Sequence, residues 1–179
     1  TLIHSKCELA DSMGIVQDEI VEQYQRIIKE AGLEVACSEY LVSDEEAIAS
    51  SIDKVFEDDS LGDIKTTSKV HIVNVQVQLS IYAWLYEMQT GRKANKLYLI
   101  WLPKPQYGQA DIIWLKRVPS EICAEIVQIY LNSPDDILNA RAILAQTGFE
   151  FERQKQTGDI PQVFSDLMDE LITISETKK

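Results

Sequence analysis

The chain has 179 residues, 45% of them hydrophobic and 26% charged, a balance that suits one globular domain with its own core. No apolar run approaches the roughly 20 residues of a membrane span, and the N-terminus does not read as a signal peptide. A formal net charge of −12 works against a protein that grips nucleic acid over its whole surface, because phosphate contacts supply most of that affinity. The charge is uneven, however: residues 1–62 hold 4 Lys/Arg against 15 Asp/Glu, residues 63–117 hold 8 against 3, and residues 118–179 hold 5 against 11. A local basic face on an acidic body can still steer DNA, with strong salt sensitivity.

Cys7, Cys37 and Cys123 are odd in number, far apart and without a C-x-x-C pair. That pattern argues against a zinc or iron–sulfur site and against a secreted disulfide framework. Reduced thiols in a cytoplasmic protein are the expectation.

In chain order, residues 5–31 read as helix with a break near Gly14. Ile15, Ile20, Tyr24, Ile27 and Ile28 form a 3.6-like apolar stripe that Gly32 ends. Residues 33–43 are rich in β-formers, and two further strand-like runs follow at 46–57 and 62–67, separated by the turn cluster EDDSLG. Together they predict an antiparallel meander. Residues 74–89 return to helical spacing, with Val75, Leu79, Tyr82 and Tyr86 on one side. Strands are expected at 96–103 and 110–118, and Pro119 opens a helix to about Leu131. Two more amphipathic helices are expected at 135–147 and 160–175. The order indicates a mixed α/β or α+β domain, read as one domain over 1–179 with a helical C-terminal part from 119.

Period-2 alternation places Asp63 and Lys65 on one face of their short strand and Ile64 on the other. Asp53 lies in the preceding strand, so pairing through the 57–61 turn brings Asp53 and Asp63 together across the hairpin. Two carboxylates at bonding distance repel unless a cation or a shared proton intervenes. Hard oxygen ligands in a small open cluster suit Mg²⁺ or Mn²⁺. Lys65 beside such a metal can orient a water and offset charge on a phosphorane-like transition state. The plain alternative has two surface acids flanking a solvated turn, with Lys65 in water. Gln78 and Tyr82 are four apart on one helical face. Gln78 falls inside the apolar stripe, so it needs a partner, either in the core or at the site. Trp84, Trp101 and Trp114 sit at positions where core packing is favoured over base stacking.

The segment 50–103 resembles the core of the RecB-type branch of the PD-(D/E)XK nuclease superfamily. The residues that carry the likeness are Asp53 in an apolar strand, then Asp63-Ile64-Lys65-Thr66, then Gln78 with Tyr82 on the next helix, the whole spanning about residues 39–103. His4 with Glu8 resembles the remainder of an upstream G-x-x-x-H motif whose glycine would precede Thr1. Ser50-Ser51 stand where the family usually has a glycine, and the four cysteines of its iron–sulfur subgroup are missing.

The resemblance implies a restriction-endonuclease-like core, a central mixed sheet flanked by helices. It implies an exonuclease that uses Mg²⁺ or Mn²⁺ to hydrolyse DNA in phage or prophage recombination or repair. His4, Asp53, Asp63 and the Ile64 carbonyl would hold the metal. Lys65 would be the catalytic lysine, Gln78 would position it or the nucleic-acid end, and Tyr82 would support the substrate. Glu39 matches an acid one strand earlier, with either a second metal or a structural role. DNA is the implied partner, with room for a recombination or strand-annealing protein or a homo-oligomer. Two other readings stay open: a catalytically silent nucleic-acid-binding or assembly module, and a structure-selective endonuclease on the same fold.

Overall fold

The computed structural model describes residues 1–132 and 172–173. Helix α1 (Leu2–Met13) starts on a capping box in which the Thr1 hydroxyl accepts from the His4 N–H and the His4 ring returns to the Thr1 nitrogen. The left-handed Gly14 (φ 69) ends it. Asp18 then caps α2 (Glu19–Glu30) by accepting from the Val21 N–H. The break expected near Gly14 is thus a full helix–loop–helix.

Strands β1 (Val35–Ser43), β2 (Ile48–Phe56), β3 (Leu61–Lys65), β4 (Leu97–Trp101) and β5 (Asp111–Leu115) form a mixed sheet in that order. β2 and β3 are antiparallel, with Lys54 opposite Gly62 and Val55 opposite Leu61. β3 and β4 are parallel, and β4 and β5 antiparallel. The parallel pair needs a crossover, and α3 (Ile72–Thr90) lies in it. A two-stranded contact at the start of β2 adds β6 (Ile172–Thr173), antiparallel to Ile48–Ala49. The helix expected over 160–175 therefore does not run through 172–173, where backbone pairing to β2 replaces it. The helix expected at 135–147 lies outside the described residues.

The chain divides into two compact units. The first holds residues 1–40, 51–70 and 94–115; the second holds 41–50, 71–93 and 116–179. In the first, Cys7, Tyr24, Ile27 and Ile28 of α1 and α2 pack with Phe56, Ile64, Ile100 and Leu102 on one face of the sheet. Gly62 is required in this layer. A Cβ there would stand 2.9 Å from Ile100 Cδ1 and 3.0 Å from Phe56 Cε2.

In the second unit, α3 pairs with α4 (Ser120–Asn132). Arg117 forms a two-pronged ion pair with Glu87 at 2.7 and 2.8 Å. The Ser80 hydroxyl donates to the Gln76 carbonyl and accepts from the Val118 N–H. α3 is buried on more sides than its predicted stripe, because Val77, Ile81, Ala83 and Leu85 are buried as well. No charged residue occurs from Ile72 to Tyr86, which is the composition of a helix covered all round. Among the described residues no helix is long and apolar enough to cross a membrane.

Candidate metal centre

The site begins with a break in the β2–β3 ladder. The Leu61 N–H bonds the Lys96 carbonyl, and the Lys65 carbonyl accepts from the Leu102 N–H, so these groups of β3 point toward β4. By alternation, the Ile64 N–H and carbonyl point toward β2. Side chains occupy both. The Asp53 carboxylate accepts from the Ile64 N–H at 2.7 Å, and His4 Nε2 lies 3.1 Å from the Ile64 carbonyl. Beyond Lys54 and Gly62 the hairpin is therefore held by a carboxylate and an imidazole in place of backbone.

His4 reaches this point because its ring is fixed twice. Nδ1 stands 3.3 Å from the Thr1 nitrogen in the capping box, and Nε2 faces the Ile64 carbonyl and, at 3.6 Å, Asp53 Oδ2.

Glu39 completes the group: His4, Glu39 and Asp53 offer ligand-type atoms all within 4.8 Å of one another. Glu39 has φ 52, a left-handed backbone inside a strand. For a non-glycine residue this costs about 1–3 kcal/mol and is found where a side chain must be aimed. The Ser51 hydroxyl donates to Glu39 Oε2 at 2.9 Å. Ser51 thus joins the cluster through its hydroxyl.

Burial pushes the Asp53 carboxyl above the usual carboxylate range. His4 and the Ile64 N–H pull the other way, Glu39 adds to the rise, and Lys65 opposes it. A carboxylate that is desolvated and beside a second acid is held in its charged form by added positive charge.

Asp63 stands opposite Asp53 in register, as the hairpin suggested, but is not one of the three converging groups. The pairing of Lys54 with Gly62, continued by one residue, sets Asp53 across from Asp63. Yet Asp63, only 4% exposed, lies outside the tight group, and its Oδ2 stands 3.3 Å from Lys65 Nζ. Asp63 and Lys65 form one ion pair, and His4, Glu39 and Asp53 form the ligand cluster. Gln78 and Tyr82 belong to the second unit. There the Gln78 amide donates to the Tyr82 hydroxyl at 2.9 Å, and the Ser50 hydroxyl also meets that oxygen at 2.9 Å. Both are buried, and the core pairing open to Gln78 is realised.

Sequence reasoning missed the group on the other side of β2. Lys54 is fully buried, its ammonium 2.6 Å from Asp11 Oδ2, 2.7 Å from the Ser38 hydroxyl and 5.5 Å from the centre of the Tyr24 ring. Tyr24 also donates its hydroxyl to Asp11. His4, Cys7 and Asp11 recur at helical spacing, so one face of α1 grips Asp53 at its start and Lys54 near its end. The available signal was a lysine within the apolar strand IDKVF.

Trp114, expected in the core, is 67% exposed, and Trp84 and Trp101 are half-buried. Among the described residues β5 is the last strand of the sheet.

No protein-family model, curated protein or solved structure matches the chain.

Proposed function

We propose that this chain is a divalent-metal-dependent DNA nuclease of the RecB-type PD-(D/E)XK kind, acting as an exonuclease. The observation that carries the reading is the opened hairpin. His4 and Asp53 occupy both backbone groups of Ile64, and Glu39 joins them within 4.8 Å.

The donor set fits a hard cation. Two carboxylates and a backbone carbonyl are ligand types that suit Mg²⁺ or Mn²⁺, and the imidazole is the one softer donor of the set. Neighbouring ligands in an octahedral shell of such an ion lie about 3 Å apart. His4 Nε2 stands 3.1 Å from the Ile64 carbonyl and 3.6 Å from Asp53. His4, Glu39, Asp53 and the Ile64 carbonyl would hold the ion, with Asp63 one strand residue away. Bound there, the ion supplies Lewis-acid charge to a phosphate oxygen and acidifies a water.

The chain's own residues do the rest. Lys65 carries a partly exposed ammonium 3.3 Å from Asp63. That places a cation where it can orient a water and offset charge building on the phosphate. Asp63 holds the lysine by its charge. The Glu39 kink and the Thr1 capping box pre-position two of the ligands, so neither has to be ordered on binding.

The test is digestion of end-labelled linear DNA with Mg²⁺ or Mn²⁺, beside a covalently closed circle, with EDTA and Lys65→Ala as controls. Cleavage should need the metal and a free end, and Lys65→Ala should lower it by roughly 10²–10⁴-fold. Cutting of the closed circle would move the reading to an endonuclease. Absence of metal-dependent cleavage by the folded protein at low salt would leave a nucleic-acid-binding module.

A further inference from the structure

The row Gly62, Tyr98, Trp114 runs across β3, β4 and β5. Directly paired residues share a face, so these three lie with Phe56 and Ile64 on the side of α1 and α2, opposite Asp63 and Lys65. Tyr98 meets Phe56 edge to face at 6.2 Å, which anchors the row in the core. Trp114 ends it at the sheet edge with 67% of its surface open. The Lys96 ammonium stands 5.4 Å from the centre of the indole.

We infer that Trp114 and Lys96 form a stacking platform for single-stranded nucleic acid, separate from the metal centre. An open indole beside a cation presents a flat π surface and a positive charge together. A nucleotide is the ligand that matches both, with a base face for the ring and a phosphate for the lysine. A duplex hides its base faces within the stack, which selects a single strand.

The cation at the platform is Lys96; Arg117 is taken up by its ion pair with Glu87, and Arg92 donates to the Tyr86 hydroxyl. The chain as a whole carries a net charge of −12. Asp58, tied to Asn95 at 3.4 Å, works against a phosphate on the turn side of Tyr98. Binding should therefore be modest and salt-sensitive. Because the platform faces away from Asp63 and Lys65, it holds substrate and takes no part in hydrolysis. It shares with the nuclease reading only the premise that the ligand is nucleic acid.

The experiment is fluorescence anisotropy of a labelled oligo-dT and of a blunt duplex with the full chain in EDTA, where no metal-dependent cleavage can interfere. Trp114→Ala should weaken single-strand binding by roughly 5- to 150-fold, the worth of one stacked base, and Trp114→Phe should restore part of it. Lys96→Gln should lower the slope of log K against log salt by about 0.7. Duplex binding should not move. Trp114→Ala should keep the wild-type melting shift with Mn²⁺, so loss of the platform and loss of the metal centre are read apart. Equal single-strand binding by wild type and Trp114→Ala would overturn the proposal. So would a change of oligomeric state in Trp114→Ala with no change in DNA binding, which would make this edge a contact between copies of the chain.

Discussion

Asp53 and Lys54 are neighbours on β2, both largely withdrawn from water, and their side chains meet opposite fates. Lys54 lies among an acceptor carboxylate, a hydroxyl and an aromatic ring, so its charge is balanced inside the protein. Asp53 lies beside Glu39, with His4 and the Ile64 N–H drawing its pKa down while burial raises it. One side of the strand is electrostatically closed; on the other, burial raises a carboxyl that stands beside a second acid, and under the proposed function a cation would complete it. A charge that is already neutralised belongs to the architecture; one left short of positive charge, with its ligand atoms converging, belongs to chemistry.

Removing the balance on the closed side has the largest expected effect on stability. Lys54→Met leaves the Asp11 carboxylate buried without its cation and should cost about 3–5 kcal/mol in urea unfolding. Adding Asp11→Asn should return part of that loss, because no uncompensated charge then remains. A Lys54→Met protein as stable as wild type would mean that water reaches Asp11 and that the two sides do not differ as described.

The open side should respond in the opposite sense. Asp53→Asn keeps an oxygen for the Ile64 N–H and removes a carboxylate that is costly to charge, so the metal-free protein should melt slightly higher than wild type. Mn²⁺ at about a hundred times its Kd should add about 2.7 kcal/mol to wild type. It should add almost nothing to Asp53→Asn. A wild-type melting temperature indifferent to Mn²⁺ would remove the cation from this cluster.

The smallest effect reports on the helix that joins both sides. Cys7 sits between His4 and Asp11 on α1, and burial pushes its thiol up to about 12; Cys123 is likewise raised to about 12. Raised thiols stay protonated at pH 8, so they supply no thiolate for reaction. A disulfide reagent at pH 8 should therefore label one thiol per folded chain, the exposed Cys37, and three in denaturant. In Lys54→Met, a second thiol should become reactive as α1 loosens, whereas in Asp53→Asn the count should stay at one.

Much of the site was legible in the residues because its signals are local. Alternation along five residues is enough to put Asp63 and Lys65 on one face, and β3 confirms that shared face through their 3.3 Å ion pair. A His on a short amphipathic helix has no such local rule. Its arrival at Ile64, sixty residues away in sequence, depends on α1 docking against β2 through Asp11 and Lys54. Asp63 shows the limit of hairpin reasoning. The register does set it opposite Asp53, but its carboxylate pairs with Lys65 and is not one of the three that converge within 4.8 Å. Trp114 shows a related limit: strand spacing names a face but not whether anything packs on it, and Trp114 is exposed at β5, the last strand among the described residues.

Element order, the helix-ending role of Gly14, the strand faces and the concentration of acids before residue 62 are properties of neighbouring residues. Short-range sterics and periodicity suffice to determine them. Which carboxylates converge was decided by packing between distant segments. The β2–β3 ladder stops at Lys54 because His4 and Asp53 take the Ile64 peptide groups, and Lys54 can be buried because α1 and α2 bring Asp11 and Tyr24 to it. Desolvation, which raises the Asp53 pKa, exists only once those segments have met and excluded water.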